Sequence, residues 1–170
     1  MARKLAAIFV ADVVGYSRLM ERDEKGTFER LKARRTELIE PEIGKQVGRV
    51  FKLTGDGLLA EFPSVVGAVE CALAVQKDMA THNAHVARDE RIELRIGVNL
   101  GDVIVEGDDV HGEGVNIAAR LQQLADPGGI AVSQTVVDHL GNKLPNPPRD
   151  DRRAARERHC QGRSSSTGSW

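Results

Sequence analysis

Cysteine is nearly absent from this sequence. The chain of 170 residues has two, Cys71 and Cys160, with no CxxC spacing. That excludes a disulfide framework and suits a reducing compartment. An excess of charge of either sign is missing too. Lysine plus arginine number 24 and aspartate plus glutamate 25, for a formal net charge of −1, so no bulk field recruits nucleic acid or an anionic membrane. No apolar run approaches the roughly 20 residues of a membrane-spanning helix. The start, Met1-Ala-Arg-Lys and then Leu5 to Ala11, has the positive-then-apolar order of a signal peptide, but the run is short and stops at Asp12. A cytoplasmic protein is expected. The sequence also has no internal repeat and no GxxxxGK[ST] phosphate loop.

What remains is ordinary globular composition, 41% apolar and 29% charged, enough for one domain with its own core. Residues 4–11 form a nearly continuous apolar run, the pattern of a strand buried on both faces. Val13 to Arg18 is expected as a structured turn. Residues 23–40 carry helical periodicity, with Phe28, Leu31, Leu38 and Ile39 on the buried face and Pro41 expected to close the helix. Residues 49–53 and 58–62 are strand-like and flank Thr54-Gly-Asp-Gly57, which predicts a β-hairpin with an acidic tip. Ser64 is a candidate N-cap for a helix burying Val65, Ala68, Ala72, Val75 and Met79.

Ile92, Leu94, Ile96, Val98 and Leu100 alternate with Glu93, Arg95 and Asn99, the signature of a half-buried strand. A break at Gly101-Asp102 precedes another strand at 103–105. A glycine- and acid-rich loop over 107–114 leads to a helix at 115–124. A strand at 130–132 and a helix over about 134–140 follow. The order predicts an α+β fold with a ferredoxin-like βαββαβ core, extended by a further strand and helix. The domain is expected over 1–144.

Several polar residues stand in places that chemistry uses. Asp12 ends a buried strand and Asp56 tips a hairpin, and in a ferredoxin-like core those strands are neighbours. Two carboxylates and a carbonyl are donors that Mg²⁺ accepts. Either aspartate alone is equally a strand end or a turn residue. Asn116 and Arg120 share one helical face at i, i+4. Together they suit the charge of a phosphoryl transition state, or else a solvated helix surface. Lys52 and Asp109 are, on spacing alone, a solvent-facing strand residue and a loop acid.

Three segments carry a resemblance. Phe9-Val-Ala-Asp-Val-Val-Gly-Tyr-Ser17, Lys52-Leu-Thr-Gly-Asp-Gly57 and Asp109-Val-His-Gly-Glu-Gly-Val-Asn-Ile-Ala-Ala-Arg120 resemble, in order and internal spacing, the signature segments of class III nucleotidyl cyclases. The resemblance covers about residues 4–145, and the nearest relatives are soluble bacterial adenylate cyclases. It implies the class III cyclase fold and a phosphorus–oxygen lyase that makes cyclic AMP from ATP. Asp12, Asp56 and the Val13 carbonyl would hold two Mg²⁺ or Mn²⁺ ions. The amides around Val14, Gly15 and Tyr16 would lie near the phosphates. Lys52 and Asp109 would read adenine, Asn116 would orient the ribose, and Arg120 would stabilise the pentavalent phosphorus. The resemblance also implies a homodimer with composite sites.

Two departures stand out. His111 replaces an aromatic residue of close relatives. Residues 145–170 contain no Val, Ile, Leu, Phe or Met and hold six arginines, where the family continues with a β-rich end that supplies a cation to the triphosphate. A disordered Arg/Ser-rich tail, with weakened activity, is expected, and the loss of family character at about residue 146 favours a lost reading frame over a natural basic tail. The alternatives to an adenylate cyclase are a guanylate or mixed-specificity cyclase and a weakly active cyclase-homology module that binds nucleotide or a partner.

Overall fold

The apolar run near the N-terminus becomes the central strand. A computed structural model describes residues 2–141, 143 and 167–169. In it β1 (Ala2–Val13) is flanked on both edges, by β3 (Gly57–Phe62) and β4 (Leu94–Glu106), antiparallel in each case. With β2 (Arg49–Leu53), β5 (Asp109–His111), β6 (Ile130–Ser133) and β7 (Thr167–Ser169), the sheet runs β2-β3-β1-β4-β6-β7, and β5 pairs with β4. The one parallel pairing among the described residues is β4 with β6. The first four strands in spatial order 2-3-1-4 are the expected βαββαβ core, and β6 extends it.

Both faces of β1 are buried because both are covered. Ala7, Phe9 and Ala11 join the larger apolar cluster with Ile96, Val98 and the stripe Ala68, Ala72, Val75 and Met79. That stripe belongs to α4 (Val65–Asn83), whose Ser64 cap accepts a hydrogen bond from the Gly67 N–H at 3.2 Å. Ala6, Ile8 and Val10 face the other way, onto Val115 and Ala118 of α5 (Glu113–Leu124). A short α6 (Gln134–Leu140) contributes Val136 and Leu140 to the larger cluster. No helix among the described residues is long and apolar enough to cross a membrane.

The structure corrects five sequence expectations. The segment 107–114, expected as a loop, holds β5 (Asp109–His111), which folds back onto β4 so that Val110 pairs with Val105. A helix, α1 (Tyr16–Arg22), begins within the segment expected as a turn. The next helical stretch does not stop at Pro41. It runs as α2 (Glu24–Arg34), a π-helical turn (Arg35–Ile39) and α3 (Glu40–Lys45), with Pro41 in the first turn of α3, where its missing N–H costs nothing. Phe28 is exposed, not on the buried face. β4 passes unbroken through Gly101-Asp102, and Gly101 lies close against Gly114 of α5, where an added Cβ would be tight. Of the tail, Thr167–Ser169 pair antiparallel with β6, and residues 144–166 lie outside the described residues.

Candidate active site

The β1–β3 ladder sets Asp12 opposite Gly57, so the last residue but one of the central strand meets the hairpin tip. A side chain at Gly57 would collide with the Ala11 carbonyl, which is why the hairpin can come this close. The Val13 N–H donates to both the Asp56 carbonyl and the Asp12 Oδ1, each at 2.9 Å. Thr54 N–H closes the turn on the Gly57 carbonyl at 2.9 Å. The two strand ends are thus tied by backbone, and the carboxyl groups of Asp12 and Asp56 share a hydrogen bond.

Burial pushes the Asp12 carboxyl up to about 6, helped by that hydrogen bond and by the Asp56 charge; the Val13 amide and the Arg95 guanidinium pull the other way. Two carboxyl groups this close together are a site short of positive charge. Their oxygens, with nearby backbone carbonyls, form a hard donor set that fits Mg²⁺ or Mn²⁺. The described residues include no cluster of three or more His, Cys, Asp or Glu side chains. Any cation held here therefore rests on the carboxylate pair, carbonyls and groups from outside the chain.

Arg95 was missed by sequence reasoning, since strand alternation puts it on the polar face of β4. It lies opposite Asp12 across the β1–β4 ladder. Its Nε is shut from solvent without a hydrogen-bond partner. The available signal was its register: a basic residue level with the strand-end aspartate.

The loop after β1 is held from two sides. Val14 N–H donates to the Glu93 carbonyl at 2.9 Å, so that amide is already committed. Gly15 adopts φ 66°, a left-handed turn that suits glycine, and opens α1. The Tyr16 hydroxyl reaches towards Gly55 of the hairpin.

Lys52, Asp109, Asn116 and Arg120 are all solvent-exposed. Lys52 pairs with Leu59 in the β2–β3 ladder. Asp109 opens β5, its Oδ1 accepting from the Val110 N–H at 3.0 Å. The two strands that carry them are stitched together, because Arg49 Nη1 donates to the Asp108 carbonyl at 3.1 Å. His111, the atypical residue, lies 3.6 Å from Glu106. Asn116 and Arg120 project from α5. No hydrogen bond or ion pair among the described residues joins any of these four side chains to the Asp12–Asp56 pair.

Known proteins share this arrangement of chain. The family model described as the adenylate and guanylate cyclase catalytic domain matches residues 3–158. The chain belongs to that family. The match runs past residue 144, into the tail. A Rhizobium meliloti protein named "Putative adenylate cyclase 3" is 57% identical over 138 residues, 81% of this chain and 24% of that protein. The adenylate cyclase of Streptomyces coelicolor is 32% identical over 139 residues, 81% of this chain and 34% of that protein. The chain therefore spans roughly a quarter to a third of these relatives. A solved adenylate/guanylate cyclase/hydrolase from Silicibacter pomeroyi superposes with a TM-score of 0.84 at 38% identity, covering 99% of this chain and 96% of the other. The cyclase domain's mixed α/β architecture, with its antiparallel sheet, is that of class III cyclases.

Proposed function

We propose that this cyclase domain converts ATP to 3′,5′-cyclic AMP and pyrophosphate in a cytoplasmic homodimer whose two sites each draw on both chains. The observation that carries the reading is the hydrogen-bonded pair Asp12–Asp56 at the end of β1. In a domain of this family, that pair is a place for divalent cations beside a nucleotide. Asp12, Asp56 and the Val13 carbonyl would hold them. Bound there, such cations supply neutralising charge for the triphosphate and acidify the ribose 3′-hydroxyl.

The chain's own residues do the rest. Lys52 donates to the adenine ring nitrogen and Asp109 accepts from the exocyclic amine, a pairing that guanine does not match. Asn116 orients the ribose. The 3′-hydroxyl releases its proton to water, its oxygen attacks the α-phosphorus in line, one P–O bond forms, and the bond to the α–β bridging oxygen breaks as pyrophosphate leaves. Arg120 meets the charge that builds on the non-bridging oxygens. Arg95, beside Asp12 with an unpaired Nε, is suited to hold a phosphate oxygen. Gly15 and Tyr16 keep the chain after β1 low and close to the phosphates.

Composite sites follow from what one chain leaves undone. The four residues assigned to base, ribose and transition state are exposed and make no bond to the carboxylate pair. A second chain brings them to it. The test is to incubate the domain with Mn²⁺ and ATP, and separately GTP, and to quantify cyclic nucleotide and pyrophosphate. Equimolar cyclic AMP and pyrophosphate with ATP preferred supports the reading. A preference for GTP assigns a guanylate cyclase, and nucleotide binding with no cyclic product assigns a binding module.

A further inference from the structure

Beside the carboxylate pair, a half-open cavity of about 50 Å³ lies against the Thr54–Gly57 hairpin, with Val13 and Asp56 in its wall. Leu31, Ile39, Met79 and Ile92 give it an apolar lining, and Arg34 and Arg35 also line it. Successive residues of an α-helix point about 100° apart, yet these two consecutive arginines line one cavity. They stand where α2 gives way to the π-helical turn Arg35–Ile39. Turns of this kind are often found at functional sites.

Neither arginine is well paired. Arg34 Nη1 is 3.8 Å from Glu37, and Arg35 Nε is 3.7 Å from Glu40, both beyond hydrogen-bond length. The Arg35 Nε is also shut from solvent with no hydrogen-bond partner. A guanidinium atom left dry without a hydrogen bond is costly, and a planar carboxylate is the group that matches its geometry. Size limits the ligand. One water needs about 10–15 Å³ of such space, so the cavity accepts a ligand of about four or five heavy atoms. The apolar lining asks that part of it be hydrocarbon.

We propose that this cavity binds a short-chain aliphatic monocarboxylate of acetate or propionate size, its carboxylate on Arg34 and Arg35 and its alkyl end against Leu31, Ile39 and Ile92. Because Asp56 itself lines the cavity, occupancy adjusts the carboxylate pair assigned to catalysis; this second clause rests on the cyclase reading, and the binding clause does not. The domain is thereby a sensor of small carboxylic acids as well as a nucleotide enzyme.

The experiment titrates sodium propionate into the protein by calorimetry and by thermal unfolding, with sodium chloride and 1-propanol as controls, and then repeats both with acetate. Saturable heat and a raised midpoint with the carboxylates, and neither with the controls, is expected. Arg35→Met should weaken binding about tenfold or more, the loss of a charge-assisted contact, with Arg35→Lys between. Leu31→Phe keeps both arginines but fills the cavity, and it should abolish binding even if Arg35→Met folds poorly. No saturable binding to the wild type, or binding unchanged in Leu31→Phe, overturns the site. Saturating propionate should change the rate of cyclic nucleotide formation in the wild type and not in Leu31→Phe. Binding without any change in rate overturns the regulatory clause alone. Binding by a protein that makes no cyclic nucleotide under any condition overturns the cyclase reading and leaves the site standing.

Discussion

The carboxyl groups of Asp12 and Asp56 are hydrogen-bonded to each other at the point where the central strand meets the tip of its neighbouring hairpin. The contact gives the cation-free protein a definite pH response. Asp12 titrates in the fold near 6, against an ordinary 3.8. Between those values the folded chain binds more protons than the unfolded one, so this group's contribution to stability falls as pH rises through that window. In EDTA, the thermal midpoint should decline from about pH 4 to about pH 6.5 by more than in Asp12→Asn. Mg²⁺ or Mn²⁺ should recover the loss at pH 7.5 in the wild type and not in the variant. A midpoint that rises with pH across this range in both proteins would contradict the raised titration of Asp12.

Gly97 supports the helix that carries Asn116 and Arg120. A side chain on it would collide with the Ala118 carbonyl and the Gln122 N–H of α5. Gly97→Val should therefore destabilise the domain by about 1–3 kcal/mol and reduce turnover beyond what unfolding explains, because α5 must move. Gly44→Ala is the control, as it faces open space within α3 and should be neutral or slightly stabilising. Chemical denaturation and turnover, measured on the same samples, separate the two effects.

Base selection is assigned to Lys52 and Asp109. Lys52→Glu with Asp109→Cys should move the ratio of kcat/KM for ATP over GTP by about tenfold or more towards GTP. Both side chains are exposed and Lys52 makes no ion pair among the described residues, so the denaturation midpoint should hardly change. An unchanged ratio would remove these residues from base recognition.

Arg95 has two measurable effects. Its charge lowers the Asp12 titration, so Arg95→Met should shift the midpoint of the pH response upward. If it also holds a phosphate oxygen, KM for ATP should rise several-fold and inhibition by pyrophosphate should weaken in parallel. A pH shift with unaltered KM would make it a positioning residue for Asp12 only.

Much of this was legible in the sequence because one signal decided each element. The unbroken apolar run of β1, the 92–100 alternation and the Ser64 cap all appear where periodicity and capping put them. The failures have physical causes. Phe28 fits a helical stripe, but the stripe assumes one regular helix, whereas α2 ends at Arg34, a π-helical turn follows, and Phe28 stays exposed. Pro41 signals a helix end in sequence and a helix start in space. Gly101 resembled a break because its role, letting α5 approach the sheet at Gly114, is a tertiary one. Arg95 was hidden for a related reason: alternation reports the face of a strand, and strand pairing alone reveals what lies opposite.

The most direct measurement mixes two disabled chains. Asp12→Asn loses the carboxylate pair, and Arg120→Ala loses the cation proposed for the transition state, so each alone should form cyclic AMP at least about 100-fold more slowly than wild type. If the sites are composite, equal amounts of the two should exchange subunits so that half the dimers are mixed. Each mixed dimer then has one site free of both substitutions, and cyclic AMP formation from ATP should recover to roughly a quarter of the wild-type rate. A mixture that stays as slow as its components, under conditions where exchange is verified, would contradict a cyclase site built from two copies of this chain.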